Sequence, residues 1–195
     1  MRRRILDATV VCLQEYGYAG TTIVRVVDEA GITKGALAHH FASKSEMVAT
    51  AVGHIAAART TELIARSQQA RGTEDPIDAG LELLWSAHQG PMFIAVAELW
   101  VAARTDPELQ RRIAFMEQAT NAVVVELAKA LFGSAGADPE VRNLIYTAMD
   151  VVRGILMTKI AMPRSTDGHE ARWRRAKANL RVLFEHTLAH PAPVS

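Results

Sequence analysis

The sequence has 195 residues, 49% of them hydrophobic, and sets 22 Lys and Arg against 21 Asp and Glu for a formal charge of +1. That length holds one large domain, or a small one joined to a larger one, with enough apolar residues for a real core, and the balanced charge neither demands nor excludes a polyanionic partner. A single cysteine forbids an internal disulfide, no zinc-ligand spacing occurs, and no window of about 18 uncharged apolar residues appears. A cytoplasmic protein with no membrane span, metal or cofactor is expected.

Taken in chain order, apolar residues recur at helical spacing almost throughout, which predicts an all-α chain of about nine helices. The first runs from about Arg2 to Tyr16 with Ile5, Ala8, Cys12 and Leu13 on one face, and Gly17 stops it. Cys12, inside the apolar run "VVCL", reads as a small buried hydrophobe. Thr21 or Thr22 caps a second helix whose Ile23, Val26, Val27 and Ala30 face inward, and Gly31 ends it. Thr33 caps a third, of about two turns, over Lys34 to His40. Ser43 and Glu46 form a capping box for a fourth, where Met47, Val48, Ala51, Ile55 and Ala58 point inward toward about Gln69. Pro76 opens a fifth helix to His88, Pro91 a sixth to about Thr105, and Pro107 a seventh to about Phe132. "GSAGADP" is a loop, Asp138 caps an eighth helix from Pro139 to about Met162, and "PRSTDG" separates it from a ninth ending near His190. The last five residues, "PAPVS", are expected to fray.

Two short helices joined by a Gly-containing turn and packed on a third form a helix-turn-helix, whose second helix can enter the DNA major groove. Its first residues then face phosphates, where Thr33 and Lys34 donate and Gly35 and Ala36 allow close backbone approach. Leu37 anchors the helix, His39 and His40 bring imidazoles to its far end, and Phe41 closes the small core. Spacing alone equally allows an ordinary helix stop at Gly31 with both histidines on a solvated surface.

The stretch "RRRILDATVVCLQEYGYAGTTIVRVVDEAGITKGALAHHFASKSEMV" resembles the DNA-binding domain of the TetR family of bacterial transcriptional regulators. The matching pieces are Ile5-Leu6 with Ala8, Gly17-Tyr18, Thr21-Thr22, the run from Ala30 to Gly35, Leu37, His40-Phe41 and Ser43-Lys44. The resemblance implies DNA contacts from Thr22, Thr33, Lys34, His39, His40 and Lys44, with Gly35 permitting approach. It departs from the family at Ala38, where a phosphate-binding Tyr is usual, and at Val27, where Ala is usual. The sequence opens directly on the first helix, so the short basic arm of many members is not expected.

The resemblance further implies a helix-turn-helix domain over residues 1–45 and an effector-binding and dimerisation domain over 46–195. In the latter, "PMFIAVAELWVAAR" is apolar nearly all round and should be enclosed by other helices, leaving Glu98 in need of a cationic partner, a ligand donor or water. Large side chains from the fifth to eighth helices include Met92, Phe93 and Phe115, and most should be core. Trp85, His88, Trp100, Met116, Tyr146, Met149 and Arg153 are the expected lining of an effector pocket. The eighth helix is apolar over more than one stripe, and the ninth carries Trp173, Leu180, Leu183, Phe184 and Leu188. Val151, Ile155, Leu180 and Phe184 are therefore the expected contacts of a two-fold four-helix bundle. The run of Arg172, Arg174, Arg175, Lys177 and Arg181 reads as a salt-bridged solvated face rather than a second nucleic-acid site.

The function expected is a homodimeric regulator, a repressor released from a palindromic double-stranded DNA operator by a small apolar or amphipathic effector. The alternative is a helical interaction module or a ligand-independent DNA-binding protein. No phosphate loop, zinc pair, nucleophile elbow or Cys-His constellation supports an enzyme.

Overall fold

Gly17 bends the first helix, α1 (Arg2–Gly20), with φ 64° and ψ −177°, so the expected stop is a break inside a helix that resumes for one more turn. The break frees the Tyr18 N–H, which donates to the carboxylate of Glu98 on α6 (Pro91–Ala103). That settles the partner of the odd acid in an otherwise apolar helix: it is a backbone donor. A Cβ at position 17 would stand 2.5 Å from both Glu98 oxygens, in a backbone region that only glycine occupies without strain. Gly17→Ala should lower the unfolding free energy by about 1–3 kcal/mol, read from a shifted urea midpoint.

The computed structural model describes residues 1–69, 73–162 and 168–190. Residues 163–167 of the expected loop and the tail 191–195 lie outside them, as do the side chains of Ile55 and Ala58. The described elements are all helical. After α1 come α2 (Ile23–Ala30), α3 (Lys34–His40), α4 (Lys44–Gln69), α5 (Pro76–Ala87), α6, α7 (Pro107–Phe132), α8 (Pro139–Ala161) and α9 (His169–Ala189). The expected loop "GSAGADP" instead holds a 3-10 turn, Gly133–Ala137. Gly136 is required there, because a Cβ would meet the Ala128 carbonyl oxygen at 2.2 Å.

Two compact units partition the chain: Met1–Arg59 with Gly90–Ala119, and Thr60–Gln89 with Thr120–Ser195. The division falls inside α4 and α7. In the first unit, Ile5, Leu13, Val26, Leu37, Val48 and Leu99 are buried in one apolar cluster built on α1, with Cys12 inside it. Burial, and then Glu29 and Glu15, push the Cys12 thiol above its ordinary range. Ser43 accepts from the Glu46 N–H at 3.0 Å, while Glu46 reaches back to the Ala42 N–H at 2.8 Å, one residue earlier than an ideal capping box. No described helix is long and apolar enough to cross a membrane.

In the second unit α8 packs along α9, and α5 packs on both. Asp75 caps α5 by accepting from the Asp78 N–H at 3.0 Å, and Asp138 caps α8 by accepting from Glu140 at 2.8 Å. Two members of the basic run on α9 are tied down by α5: Lys177 meets Asp78 at 2.7 Å and Glu82 at 2.6 Å, and Arg181 meets Asp75 at 2.5 Å. Trp173 and Trp85 stack nearly parallel with centroids 4.9 Å apart, so the large aromatic of α5 is a packing element between helices.

Candidate nucleic-acid interface and ligand cavity

Thr22 and Thr33 cap the two helices of the helix-turn-helix. Their hydroxyl oxygens accept from the N–H groups of Arg25 at 3.3 Å and Ala36 at 3.2 Å. Each cap uses an oxygen lone pair and leaves the O–H able to donate elsewhere. Between the helices Gly31 takes the left-handed conformation, φ 57° and ψ 48°, that such a turn needs. Leu37 is 2% exposed and pins α3 to the core, while Lys34, Gly35, Ala38 and His39 all face outward. A Cβ at Gly35 would touch nothing nearer than the Thr33 hydroxyl at 3.9 Å. The fold therefore does not need that glycine, and its effect is to keep the exposed start of α3 bare. The His39 and His40 rings meet edge to face, 5.5 Å apart. Arg2 lies over the ring of buried Phe41 at 5.2 Å.

The start of α4 is clamped. The Ser45 hydroxyl donates to Asp106 Oδ2 at 2.6 Å and the Ser43 hydroxyl to Glu108 Oε1 at 3.1 Å. The other oxygen of Asp106 accepts from the N–H groups of Glu108 and Leu109, at 3.1 and 3.0 Å, and so caps α7. Those amides, the Leu109 N–H foremost, and then Ser45 hold the Asp106 carboxyl below its usual range. Tyr18 lies between this clamp and Lys44, whose ammonium sits 4.3 Å above its ring and 3.4 Å from the Ala19 carbonyl oxygen. Burial lowers the Lys44 pKa. Neither Asp106 nor Glu108 stood out in the sequence, where "DP" reads only as a helix boundary.

The second unit contains a cavity of about 150 Å³ with a lining that includes Leu81, Leu84, Val124, Leu127, Ala148 and Met149. His88 is its one polar side chain among the described residues. Its Nδ1 lies 2.9 Å from the Leu84 carbonyl oxygen and so donates to it. Desolvation lowers the imidazole pKa, outweighing that hydrogen bond, and Arg153 lowers it further. At one end Phe132 and Phe184 stack, 5.9 Å apart at 19°.

Residues 5–51 match the family model described as bacterial regulatory proteins, tetR family. The HTH-type transcriptional repressor AcnR of Corynebacterium diphtheriae is 26% identical over 170 residues, 87% of this chain and 85% of that protein. Over residues 5–51 the chain is similar to the TetR family of transcriptional regulators. Solved structures carry the same fold along nearly its whole length. A transcriptional regulator from Rhodococcus sp. Rha1 superposes with a TM-score of 0.70 at 19% identity, covering 95% of this chain and 96% of that one. The regulator FadR from Bacillus subtilis, solved in complex with stearoyl-CoA, gives a TM-score of 0.65 at 16% identity over 94% and 97% of the two chains.

The structure divides the residues expected to line one effector pocket. His88 and Met149 do line the cavity. Trp85 is buried against Trp173 instead, and Tyr146 and Arg153, both half-buried on α8, are not part of the lining. Trp100 and Met116 belong to the first unit. There the Trp100 indole donates to Glu117 Oε1 at 3.2 Å and packs edge-on against Phe93, while Met116 lines an open groove with Arg112. Phe115, expected in the core, is 74% exposed beside it. A second correction concerns the bundle: Leu180 and Phe184 are 4% and 3% exposed within a single chain, so they cannot offer an open face. The exposed large apolar residues of α9 are Val182 and Leu183, and on α8 Gly154 has nothing within 4 Å of where a Cβ would stand. Val151 and Ile155 of α8 are half-buried.

Proposed function

We propose that this protein is a TetR-family regulator, a homodimeric repressor that binds a palindromic operator through α3 and is released when a small molecule enters the cavity of the second unit. The observation carrying the DNA reading is the start of α3, where capped Thr33, exposed Lys34 and bare Gly35 stand clear of the core while Leu37 holds the helix from behind. Thr22 at the cap of α2, His39 and His40 on α3 and Lys44 on α4 flank that surface. A repressor relative and a fold relative solved with a bound acyl-CoA support the regulatory reading.

The dimer face is the outer side of α8 and α9, with Gly154, Val151 and Ile155 on one helix and Val182 and Leu183 on the other. A residue without a side chain lets two helices approach closely, and a two-fold axis would pair each face with its copy. Two reading heads so related can occupy successive major grooves about 34–36 Å apart. Release follows from helices shared by both units. α4 opens with Lys44 and carries Leu63 in the cavity lining, and α7 opens at the Asp106 clamp and ends with Leu131 and Phe132 in that lining. A ligand favouring one arrangement of these helices shifts DNA affinity by its differential binding, typically about 5- to 150-fold.

The test begins with selection of bound sequences from random duplex DNA, followed by gel-shift titration of the recovered site. Lys34→Ala should weaken that complex by about 1–3 kcal/mol if the ammonium reads a base, and less, equally for all sequences, if it meets phosphate. Recovery of no palindrome, or unaltered affinity of the variant, would remove α3 from the interface.

A further inference from the structure

The described walls of the second-unit cavity carry no charge. Among the described lining residues there is no Asp, Glu, Lys or Arg, and the one titratable group, His88, donates through Nδ1 to its own helix. A charged ligand group would lose its water there with no charged residue in the described lining to meet it, since Arg153 acts on His88 from outside that lining, and apolar contact does not recover the cost. The remaining wall is branched aliphatic, with Gly80, Ala128 and Ala148 leaving the space that larger side chains would fill. The near-parallel rings of Phe132 and Phe184 form a flat end wall. At about 150 Å³ the space equals that of an engineered Leu/Ile/Phe-lined void that stays dry and takes benzene.

We propose that the cavity is a site for an uncharged, compact hydrocarbon of about one six-membered ring, such as an alkylbenzene, and that acyl chains with charged heads and organic cations are not its ligands. This rests on the reading of the cavity as the effector site and narrows it to one ligand class. The ring would lie with its faces against leucine and valine methyl groups and its edge toward the Phe132–Phe184 pair, the offset arrangement that aromatic quadrupoles favour.

The probes are toluene, octanoate and tetramethylammonium, titrated calorimetrically into the full-length protein and, separately, into its complex with the selected operator. Toluene should bind with a Kd of about 0.1–1 mM, as good burial of seven heavy atoms allows, and neither ion should bind measurably. Ala148→Leu, which fills the space, should raise that Kd at least about tenfold. Should this variant not fold, Leu127→Ala decides, since an enlarged cavity should improve the affinity for propylbenzene relative to toluene by about tenfold. A protein that fails to bind toluene, or in which neither lining change alters its affinity, overturns the proposed class. If octanoate both binds and releases operator in that case, the effector reading survives while the class falls. If toluene binds as expected but leaves operator affinity unchanged, the class stands and the effector reading fails.

Discussion

Phe184→Glu should prevent the second unit from folding, whereas Leu183→Glu, one residue away, should leave it folded and break the dimer. Adjacent helix positions point about 100° apart. Here that turn separates a side chain 3% exposed and stacked on Phe132 from one 48% exposed. Deleting a buried Phe costs about 3–5 kcal/mol, and a carboxylate left without a partner in an apolar wall adds several more. Against a typical total of about 5–15 kcal/mol, the first change consumes most of the stability, and the thermal transition should collapse or disappear. The second changes stability by no more than about 0.5 kcal/mol in the monomer, as surface substitutions do. It sets two like charges against each other across the proposed two-fold, so sedimentation should report a monomer and operator affinity should fall with it. A folded Phe184→Glu dimer would contradict the burial seen here, and a Leu183→Glu dimer would place the axis elsewhere.

That contrast also marks where the sequence was legible. Most helix termini were, the Gly17 stop excepted, because they depend on residues whose chemistry is local: Gly31 in its left-handed turn, Thr22, Thr33 and Asp138 as caps, and Pro76, Pro91 and Pro107 in first turns. The helix-turn-helix followed from them, and with it the exposed start of α3. Periodicity also gave the apolar arcs of α8 and α9, but an arc wider than one stripe does not say which part meets its own chain and which part is left open. The cavity was not legible for a related reason. Selecting residues by size chose Trp85 and Trp100, which have aromatic partners, while the cavity is bounded by ordinary leucines and valines around Gly80, Ala128 and Ala148. Those three small residues stand on three different helices, α5, α7 and α8, so no spacing along the sequence brings them together. Glu98, by contrast, was visible as an anomaly, and only its partner, a backbone N–H exposed by the Gly17 break, required the fold.

Asp106→Ala should cost the first unit about 2–4 kcal/mol and weaken DNA binding in the molecules that remain folded. The carboxylate has two jobs on its two oxygens. Oδ1 caps α7, and loss of such a cap costs about 0.5–2 kcal/mol. Oδ2 accepts from Ser45, which is only 8% exposed and would be left with a buried hydroxyl lacking its acceptor, at about 1–3 kcal/mol. Asp106→Asn retains a cap oxygen but removes the charge, so it should fall between wild type and Ala. Since Ser45 adjoins Lys44 and Tyr18 in the same hydrogen-bonded group, loosening it frees the first turn of α4 and the ammonium that it positions. A double-mutant cycle with Ser45→Ala should give coupling of about 0.5–3 kcal/mol, as for residues in one network. The same carboxyl gives a pH signature of known sign. Its folded pKa lies below its unfolded one, so its contribution is fully present above the ordinary carboxylate range, about 3.9, and is lost as pH falls through the folded value. The difference in stability between wild type and Asp106→Ala should therefore narrow only on that acid side and stay constant from about pH 5 to 8. A gap that instead closes on raising the pH would assign the effect to another group, and additive Ser45 and Asp106 changes would mean that the clamp does not act as a unit.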